Sequence, residues 1–120
     1  MGFFDTLFKK PFGEVDPAEA HEAMDRGALL LDVREPHEWA SGHAPKARHI
    51  PLGQLGARAD ELPRNREVLV VCRSGARSAR AARLLAADRD DVANVRGGMN
   101  AWAREGLPVV AKGGGPGRVA

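Results

Sequence analysis

The sequence predicts an α/β domain in which helices cover both faces of a parallel sheet. Short apolar segments alternate along the chain with helix-forming segments, and two of the apolar segments, residues 28–33 and 68–71, are nearly uninterrupted. Such runs are typical of strands that are buried on both faces of a sheet. The length of 120 residues allows one domain of this kind.

The first predicted helix begins after Asp16, an N-cap residue followed by Pro17 at the first helical position. We expect this helix to end at Gly27, because glycine is favoured just beyond a helix. A strand over residues 28–33 follows, and then a short helical stretch over residues 35–41. The start of the chain therefore has the order helix, strand, helix.

The same alternation continues through the middle of the chain. Residues 47–50 are predicted to form a brief strand, and residues 54–62 to form one or two helical turns. Val68–Val71 is the clearest strand, because three of its four residues are β-branched. Residues 78–87, rich in Ala, Leu and Arg, are predicted to be helical, and residues 92–95 to be a short strand.

Composition divides the chain into three parts. Residues 13–110 form the predicted α/β domain, whose last helix covers residues 99–104, and residues 111–120 are predicted to be a flexible Gly-rich tail. Residues 1–12 form an N-terminal aromatic segment, which we interpret as a terminal turn packed on the domain, with a membrane-surface or partner-docking helix as the alternative. Its large apolar residues would share one helical face: Phe3, Phe4, Leu7 and Phe8.

The composition excludes several classes of protein. Eighteen Lys and Arg residues against 16 Asp and Glu leave a formal net charge of +2, too balanced for a nucleic-acid binder with a concentrated basic face. No apolar run approaches the roughly 20 residues of a transmembrane helix. Cys72 is the only cysteine, so an intrachain disulfide is impossible, and we expect a reducing compartment and a cytoplasmic location.

The segment over residues 71–78, V-C-R-S-G-A-R-S, carries the chemistry. A buried strand delivers Cys72 to the carboxyl edge of the sheet, where ligands bind in α/β proteins. Gly75 permits a tight loop, and a helix is predicted to begin near Ser78. Inward-pointing N–H groups and the positive end of that helix would form an anion-binding nest that stabilises a thiolate. A thiolate nucleophile with an anionic substrate is therefore favoured over a structural cysteine.

Four motifs follow one another between residues 15 and 108. They are L-D-V-R-E at 31–35 with E-W at 38–39, G-H-A-P at 42–45 with H-I-P-L at 49–52, C-R-S-G-A-R-S at 72–78, and G-G-M at 97–99 with A-W at 101–102. Their order and spacing resemble those of single-domain rhodaneses, the thiosulfate sulfurtransferase-type modules. The resemblance implies a rhodanese-like fold: a five-stranded parallel sheet flanked by helices on both faces, with the reactive cysteine on the loop after the fourth strand.

The resemblance also implies a reaction, with Cys72 as the catalytic residue and persulfide carrier. Its thiolate would take the outer sulfur of thiosulfate, release sulfite, and pass the sulfur to cyanide or to a thiol. That thiol would come from another molecule, such as a thioredoxin-like or sulfur-relay protein. No cofactor and no metal are expected. The anionic donor would be bound by the loop after the cysteine: Arg73, Ser74, Gly75, Ala76, Arg77 and Ser78.

Asp32 and Arg34 follow another strand and are candidates for a supporting role at the same edge of the sheet. We expect Asp32 to cap the next turn or to pair with an arginine, and Arg34 to pair with Glu38 across one helical turn. His43 and His49 are interpreted as structural. An ionised thiolate needs no base, and their spacing lacks the short pairs of zinc sites.

Two other functions are open on the sequence. Cysteine phosphatases of the cell-cycle type share the fold, but their arginine lies six positions after the cysteine, where this chain has Ser78. Arg77 arrives one position earlier, and the shorter loop favours a persulfide sulfur over phosphate or arsenate. The second alternative is a sulfur carrier or interaction module, loaded by a donor protein and slow with thiosulfate.

Overall fold

The computed structural model describes residues 11–120, which form a five-stranded sheet in the order β1-β5-β4-β2-β3. All neighbouring strands are parallel, which confirms the predicted fold class. The predicted aromatic segment, residues 1–12, lies outside this range except for its last two residues. The strands are β1 (Gly13–Val15), β2 (Leu29–Asp32), β3 (Arg48–His49), β4 (Val68–Val71) and β5 (Val92–Val95).

Five α-helices lie within residues 11–120, and a 3-10 turn, Ala59–Glu61, follows the third of them. None of these helices has the length and apolar character needed to cross a bilayer. The helices are α1 (Pro17–Asp25), α2 (Pro36–Ser41), α3 (Leu52–Arg58), α4 (Ala76–Ala86) and α5 (Gly98–Arg104).

Side chains of β4 alternate between two apolar layers, one on each face of the sheet. Leu69 and Val71 enter the layer covered by α1 and α5. Val68, Val70 and Cys72 enter the layer covered by α3 and α4. The period of the strand therefore points the cysteine toward the start of α4.

The start of α1 agrees with the prediction because its signals are local. The Asp16 carboxylate accepts a hydrogen bond from the Glu19 backbone N–H at 2.8 Å. The Glu19 carboxylate accepts one from the Asp16 N–H at 2.9 Å, which completes a capping box. Both partners lie within three residues, so the sequence pattern already contained this boundary.

Several other elements differ from the prediction, the strand β1 and the start of α4 among them. The strand Gly13–Val15 was not expected, because its three residues are mostly exposed and contain a charge; pairing with β5 holds them in the sheet. Helix α4 begins at Ala76, two residues earlier than expected, because Gly75 caps it in the left-handed conformation. The earlier start places Ser78 in the first turn of α4, behind the cysteine.

Residues 111–120, predicted as a flexible tail, are hydrogen-bonded to the end of α2. The backbone N–H of Lys112 donates to the carbonyl oxygen of Ala40 at 3.0 Å, and that of Arg118 donates to Ser41 at 3.0 Å. Backbone groups of any composition can form such bonds. A Gly-rich sequence therefore does not reveal whether a distant helix end will accept them.

Candidate active site

Cys72 lies at the carboxyl end of β4, and the loop that follows folds around its sulfur. The side chain is buried, with the residue only 1% exposed. The N–H of Gly75 donates to Sγ at 3.1 Å, and the Ser78 hydroxyl lies 3.3 Å from Sγ. Gly75 has a φ of +114°, a conformation that glycine adopts without strain, and this turns its N–H toward the sulfur. The predicted nest is therefore present around Cys72.

Two opposing effects set the pKa of the Cys72 thiol. Burial raises this pKa, whereas the Ser78 hydroxyl and the backbone N–H groups of Ser78, Gly75 and Ser74 lower it. The donors outweigh burial, so the pKa lies below its ordinary value. A thiolate at Cys72 is thus stabilised by the loop, and a thiolate is the nucleophilic form of cysteine.

Arg77 forms a two-point ion pair with Glu38, which joins α4 to α2. The two guanidinium nitrogens lie 2.7 and 2.9 Å from the two carboxylate oxygens. These hydrogen bonds outweigh burial and lower the pKa of Glu38 to about 2, and the same pairing raises the pKa of Arg77. The predicted pairing of Arg34 with Glu38 is wrong, because Arg77 reaches both carboxylate oxygens from the neighbouring helix.

The other predicted loop residues lie on the solvent side of the loop, which we call the mouth of the nest. Arg73, Ser74 and Ala76 are exposed, and Gly75 is half-buried. Arg77 retains 35% exposure of its side chain beside the mouth. Of the predicted loop residues, Ser74, Gly75 and Ser78 thus donate to the sulfur, whereas the Arg77 guanidinium binds Glu38.

Asp32 and Arg34 form a fully buried ion pair at the end of β2. Nε and Nη2 of Arg34 donate to the Asp32 carboxylate at 2.9 and 2.7 Å. The same Nη2 donates to the carbonyl oxygen of Gly42 at 2.7 Å. The pair therefore anchors the C-terminal end of α2, the helix that carries Glu38, and both side chains are too deeply buried to reach the mouth.

His43 and His49 stack on Trp39, with ring centroids 3.6 and 4.8 Å from the indole. A ring nitrogen of His43 lies 2.8 Å from the Trp39 carbonyl oxygen, and one of His49 lies 2.7 Å from that of Arg34. These contacts support the structural interpretation of both histidines. Across residues 11–120, no three His, Cys, Asp or Glu side chains are grouped to hold a metal ion.

The first turn of α5 holds the Cys72 loop from the other side. The N–H of Met99 donates to the Cys72 carbonyl oxygen at 2.8 Å, and that of Asn100 to the Arg73 carbonyl oxygen at 3.0 Å. Gly98 has a φ of +58°, and a Cβ there would lie 2.5 Å from both carbonyl oxygens. Only glycine permits this approach, which orients the peptide groups of the loop.

Gly98→Ala is expected to displace the loop, because the added Cβ meets backbone atoms that cannot move independently. We expect alkylation of Cys72 by iodoacetamide to slow more than about tenfold, because the thiolate loses loop donors, and the free energy of unfolding to fall by about 1–3 kcal/mol. Gly56→Ala in α3 is the matched control, since its Cβ would enter open space. That variant should keep the wild-type alkylation rate, and its free energy of unfolding should rise by about 0.5–1 kcal/mol. Urea unfolding and alkylation rates measure both effects. A stable Gly98→Ala protein that is alkylated at the wild-type rate would contradict the steric argument.

One buried polar residue of the site was not predicted. Asn94 lies on β5 and is 3% exposed, and its Oδ1 lies 2.6 Å from the Ser78 hydroxyl oxygen. The available signal was a single polar side chain within the apolar strand V-A-N-V. Buried polar groups need partners, so such a residue indicates an unseen contact.

Comparison with known proteins identifies relatives across most of the described chain. The family described as "Rhodanese-like domain" matches residues 16–105. A sulfurtransferase of Allochromatium vinosum is 48% identical over 84 residues, which cover 69% of this chain and 78% of the relative. The thiosulfate sulfurtransferase GlpE of Actinobacillus pleuropneumoniae serotype 7 is 35% identical over 100 residues, which cover 82% of this chain and 93% of the relative. The crystal structure of a rhodanese-related protein from Thermoplasma volcanium matches with a TM-score of 0.78 and 32% sequence identity. The match covers 82% of this chain and 98% of that one.

Proposed function

This chain belongs to the rhodanese-like domain family, and from that premise we propose that it transfers a sulfane sulfur from thiosulfate, or a related anionic donor, to a thiol or cyanide. Cys72 carries the sulfur as a persulfide. One observation carries the proposal: the backbone nitrogen of Gly75 lies 3.1 Å from Sγ of Cys72 and donates a hydrogen bond to it, and the donors of this loop lower the pKa of the thiol. Relatives named as sulfurtransferases support the class of reaction.

The transfer consists of two displacements at sulfur. In the first, the Cys72 thiolate attacks the outer sulfur of thiosulfate, the S–S bond of thiosulfate breaks, and sulfite leaves with the bonding pair. In the second, a thiolate or cyanide attacks the outer sulfur of the persulfide. The Cys72 thiolate then leaves with the electron pair, and a new persulfide or thiocyanate is released. Each displacement moves one electron pair, so no external oxidant or reductant takes part.

The loop serves both anionic forms of Cys72. Before transfer the negative charge lies on Sγ, and the Gly75 N–H and the Ser78 hydroxyl stabilise it. Arg73 and the exposed edge of Arg77 attract and orient the anionic donor before the first displacement. After transfer the negative charge lies on the outer sulfur of the persulfide.

Intact mass spectrometry tests the proposal directly. Reduced protein incubated with thiosulfate is expected to gain one sulfur atom, and cyanide is expected to remove it with release of thiocyanate. An unchanged mass would contradict thiosulfate as the donor. If the protein gains no sulfur but hydrolyses an aryl phosphate, the result would instead support the phosphatase alternative.

The second candidate function is a sulfur carrier loaded by a donor protein, with the acceptor a thiol in the cytoplasm. The observation that favours it is the ion pair of Arg77 with Glu38, which neutralises much of the charge that a small dianion would use. Such a carrier would take sulfur from a protein persulfide but would react slowly with thiosulfate. The ratio of the two loading rates distinguishes the carrier from the thiosulfate enzyme.

Arg77→Ala is expected to raise the KM for thiosulfate by about 10- to 100-fold, and to change the KM for a neutral dialkyl trisulfide much less. A charge-assisted hydrogen bond contributes about 1.5–3 kcal/mol, and a neutral donor does not use it. Steady-state kinetics with both donors measure the difference. Arg104→Ala is the control. It removes one positive charge from the last turn of α5, the end of that helix farther from the Cys72 loop, and it should leave both KM values unchanged. Equal increases for both donors with Arg77→Ala would exclude Arg77 from donor binding.

A further inference from the structure

The hydroxyl of Ser78 lies among three acceptors. Its Oγ lies 2.6 Å from Oδ1 of Asn94, 3.2 Å from the carbonyl oxygen of Gly75, and 3.3 Å from Sγ of Cys72. A hydroxyl group has one proton to donate. The three acceptors therefore compete for that proton, and the shortest contact is the one with Asn94.

The other neighbours of Asn94 fix the orientation of its amide group. Nδ2 lies 3.3 Å from the carbonyl oxygen of Gly75 and 3.5 Å from Oε2 of Glu14, both of which only accept hydrogen bonds. The amide nitrogen must face these oxygens, which leaves Oδ1 facing Ser78. Because Oδ1 is also an acceptor, Ser78 is the donor in the 2.6 Å contact.

We propose that Asn94 is a positioning residue that holds the Ser78 proton away from Cys72 until the sulfur of Cys72 carries negative charge. In the thiolate, the hydroxyl rotates to donate to Sγ. The next state, the persulfide, is part of the proposed function, and this step of the argument rests on it. In the persulfide the negative charge lies on the outer sulfur. Sγ is then neutral and a weak acceptor, so the hydroxyl donates to Asn94 again. When the acceptor attacks, negative charge develops on the leaving Sγ, and the same proton rotates back to stabilise it.

The competition has a direct consequence for the thiol. Each time Ser78 donates to the thiolate, Oδ1 of Asn94 loses its hydrogen bond, so Asn94 raises the pKa of Cys72 relative to a protein without that acceptor. Removing the acceptor should therefore lower the pKa of Cys72. Damage to the loop would have the opposite effect, because lost N–H donors would leave burial to raise the pKa.

Replacing Asn94 by leucine removes no charged group, but it does remove the contact of Nδ2 with the Glu14 carboxylate at 3.5 Å. Arg77 acts on it from α4, and the buried pair of Asp32 and Arg34 lies at the end of β2. Arg96 follows β5 and lies 3.6 Å from Glu14. The first turn of α5 contains no charged residue. A pKa shift that occurs with Ser78 present and disappears in a Ser78→Ala background therefore reports the hydroxyl, whereas a displaced Glu14–Arg96 pair would shift the pKa in both backgrounds.

The test uses Asn94→Leu, which removes the acceptor at similar volume. The carbonyl oxygen of Gly75 keeps its bond from the Ala79 N–H at 3.1 Å. We expect the pKa of Cys72, measured from thiolate ultraviolet absorbance and from the pH dependence of alkylation by iodoacetamide, to fall by about 0.5–1 unit. Asn94→Ala, which removes the same acceptor with a smaller side chain, is also expected to lower the pKa and provides a second reading if the leucine variant folds poorly.

Ser78→Ala separates an effect through the hydroxyl from a general effect on the loop. In the Ser78→Ala background, Asn94→Leu should no longer lower the pKa of Cys72, since the competing proton is gone. An unchanged or raised pKa for Asn94→Leu alone, or an equal shift in both backgrounds, would overturn the proposal. These titrations need no sulfur donor. Failure of thiosulfate loading with the expected pKa shifts would therefore count against the proposed function and not against the role of Asn94.

Discussion

Cys72→Ser is expected to lower the rate of sulfur transfer by at least about a thousandfold, while the domain stays folded. Cys72 is the only cysteine of the chain, so no other thiol can take over as carrier. A serine hydroxyl is not ionised near neutral pH and forms no persulfide. The loss of the nucleophile removes the covalent pathway completely.

The serine should be tolerated structurally. It is nearly the size of cysteine, and its oxygen can accept the N–H of Gly75 that now reaches Sγ at 3.1 Å. Intact mass after incubation with thiosulfate, together with circular dichroism and urea unfolding, measures both parts of the prediction. Wild-type protein alkylated at Cys72 is the control and should be equally inactive. A serine variant that still gains sulfur would show that the carrier lies elsewhere.

Asp32→Ala is expected to reduce the free energy of unfolding by about 3–5 kcal/mol, a large share of the 5–15 kcal/mol typical of a domain. The substitution leaves the guanidinium of Arg34 fully buried without its counter-charge. Within residues 11–120, Nη1 of Arg34 already has no hydrogen-bond partner, so the group has little capacity to compensate. Loss of the pair also releases Gly42 at the end of α2 and should disturb the Glu38–Arg77 pair.

Urea unfolding of Asp32→Ala, Arg34→Leu and the double variant measures this effect. The double variant should recover part of the lost stability, because removing both partners leaves no buried unpaired charge. The rate of sulfur transfer should also fall in Asp32→Ala, because α2 is displaced and carries Glu38, the partner of Arg77. A loss of stability below about 1 kcal/mol would mean that Arg34 finds another partner in the variant.

Several parts of the fold follow from short-range patterns. The capping box of Asp16 and Glu19 starts α1, and the apolar run Val68–Val71 forms the central strand. The position of Cys72 after that strand, with Gly75 three residues later, predicts a nest around the sulfur. Each of these features depends on neighbours within a few residues, which the sequence displays directly.

The pairing of polar side chains could not be read in the same way. The rule of residues four apart paired Arg34 with Glu38, but Arg34 precedes the first residue of α2, Pro36, and so does not lie on that helix. Arg34 pairs instead with Asp32, two residues away, and Glu38 is met by Arg77 from α4. These partners are determined by how the end of β2, helix α2 and helix α4 are placed relative to one another.

Sequence patterns were sufficient for the fold class and for the loop that folds around the Cys72 sulfur, because strand burial and loop conformation depend on local residue types. The expectation that Asp32 caps the next turn or pairs with an arginine is confirmed by Arg34, two residues later. The packed structure was needed for the other polar contacts, including the contact of Asn94 with Ser78 and the joining of residues 111–120 to α2. Those contacts connect elements far apart in the chain. Their geometry exists only once β5, β4 and the helices are aligned, because hydrogen bonds form over about 3 Å and a preferred residue type cannot specify that distance.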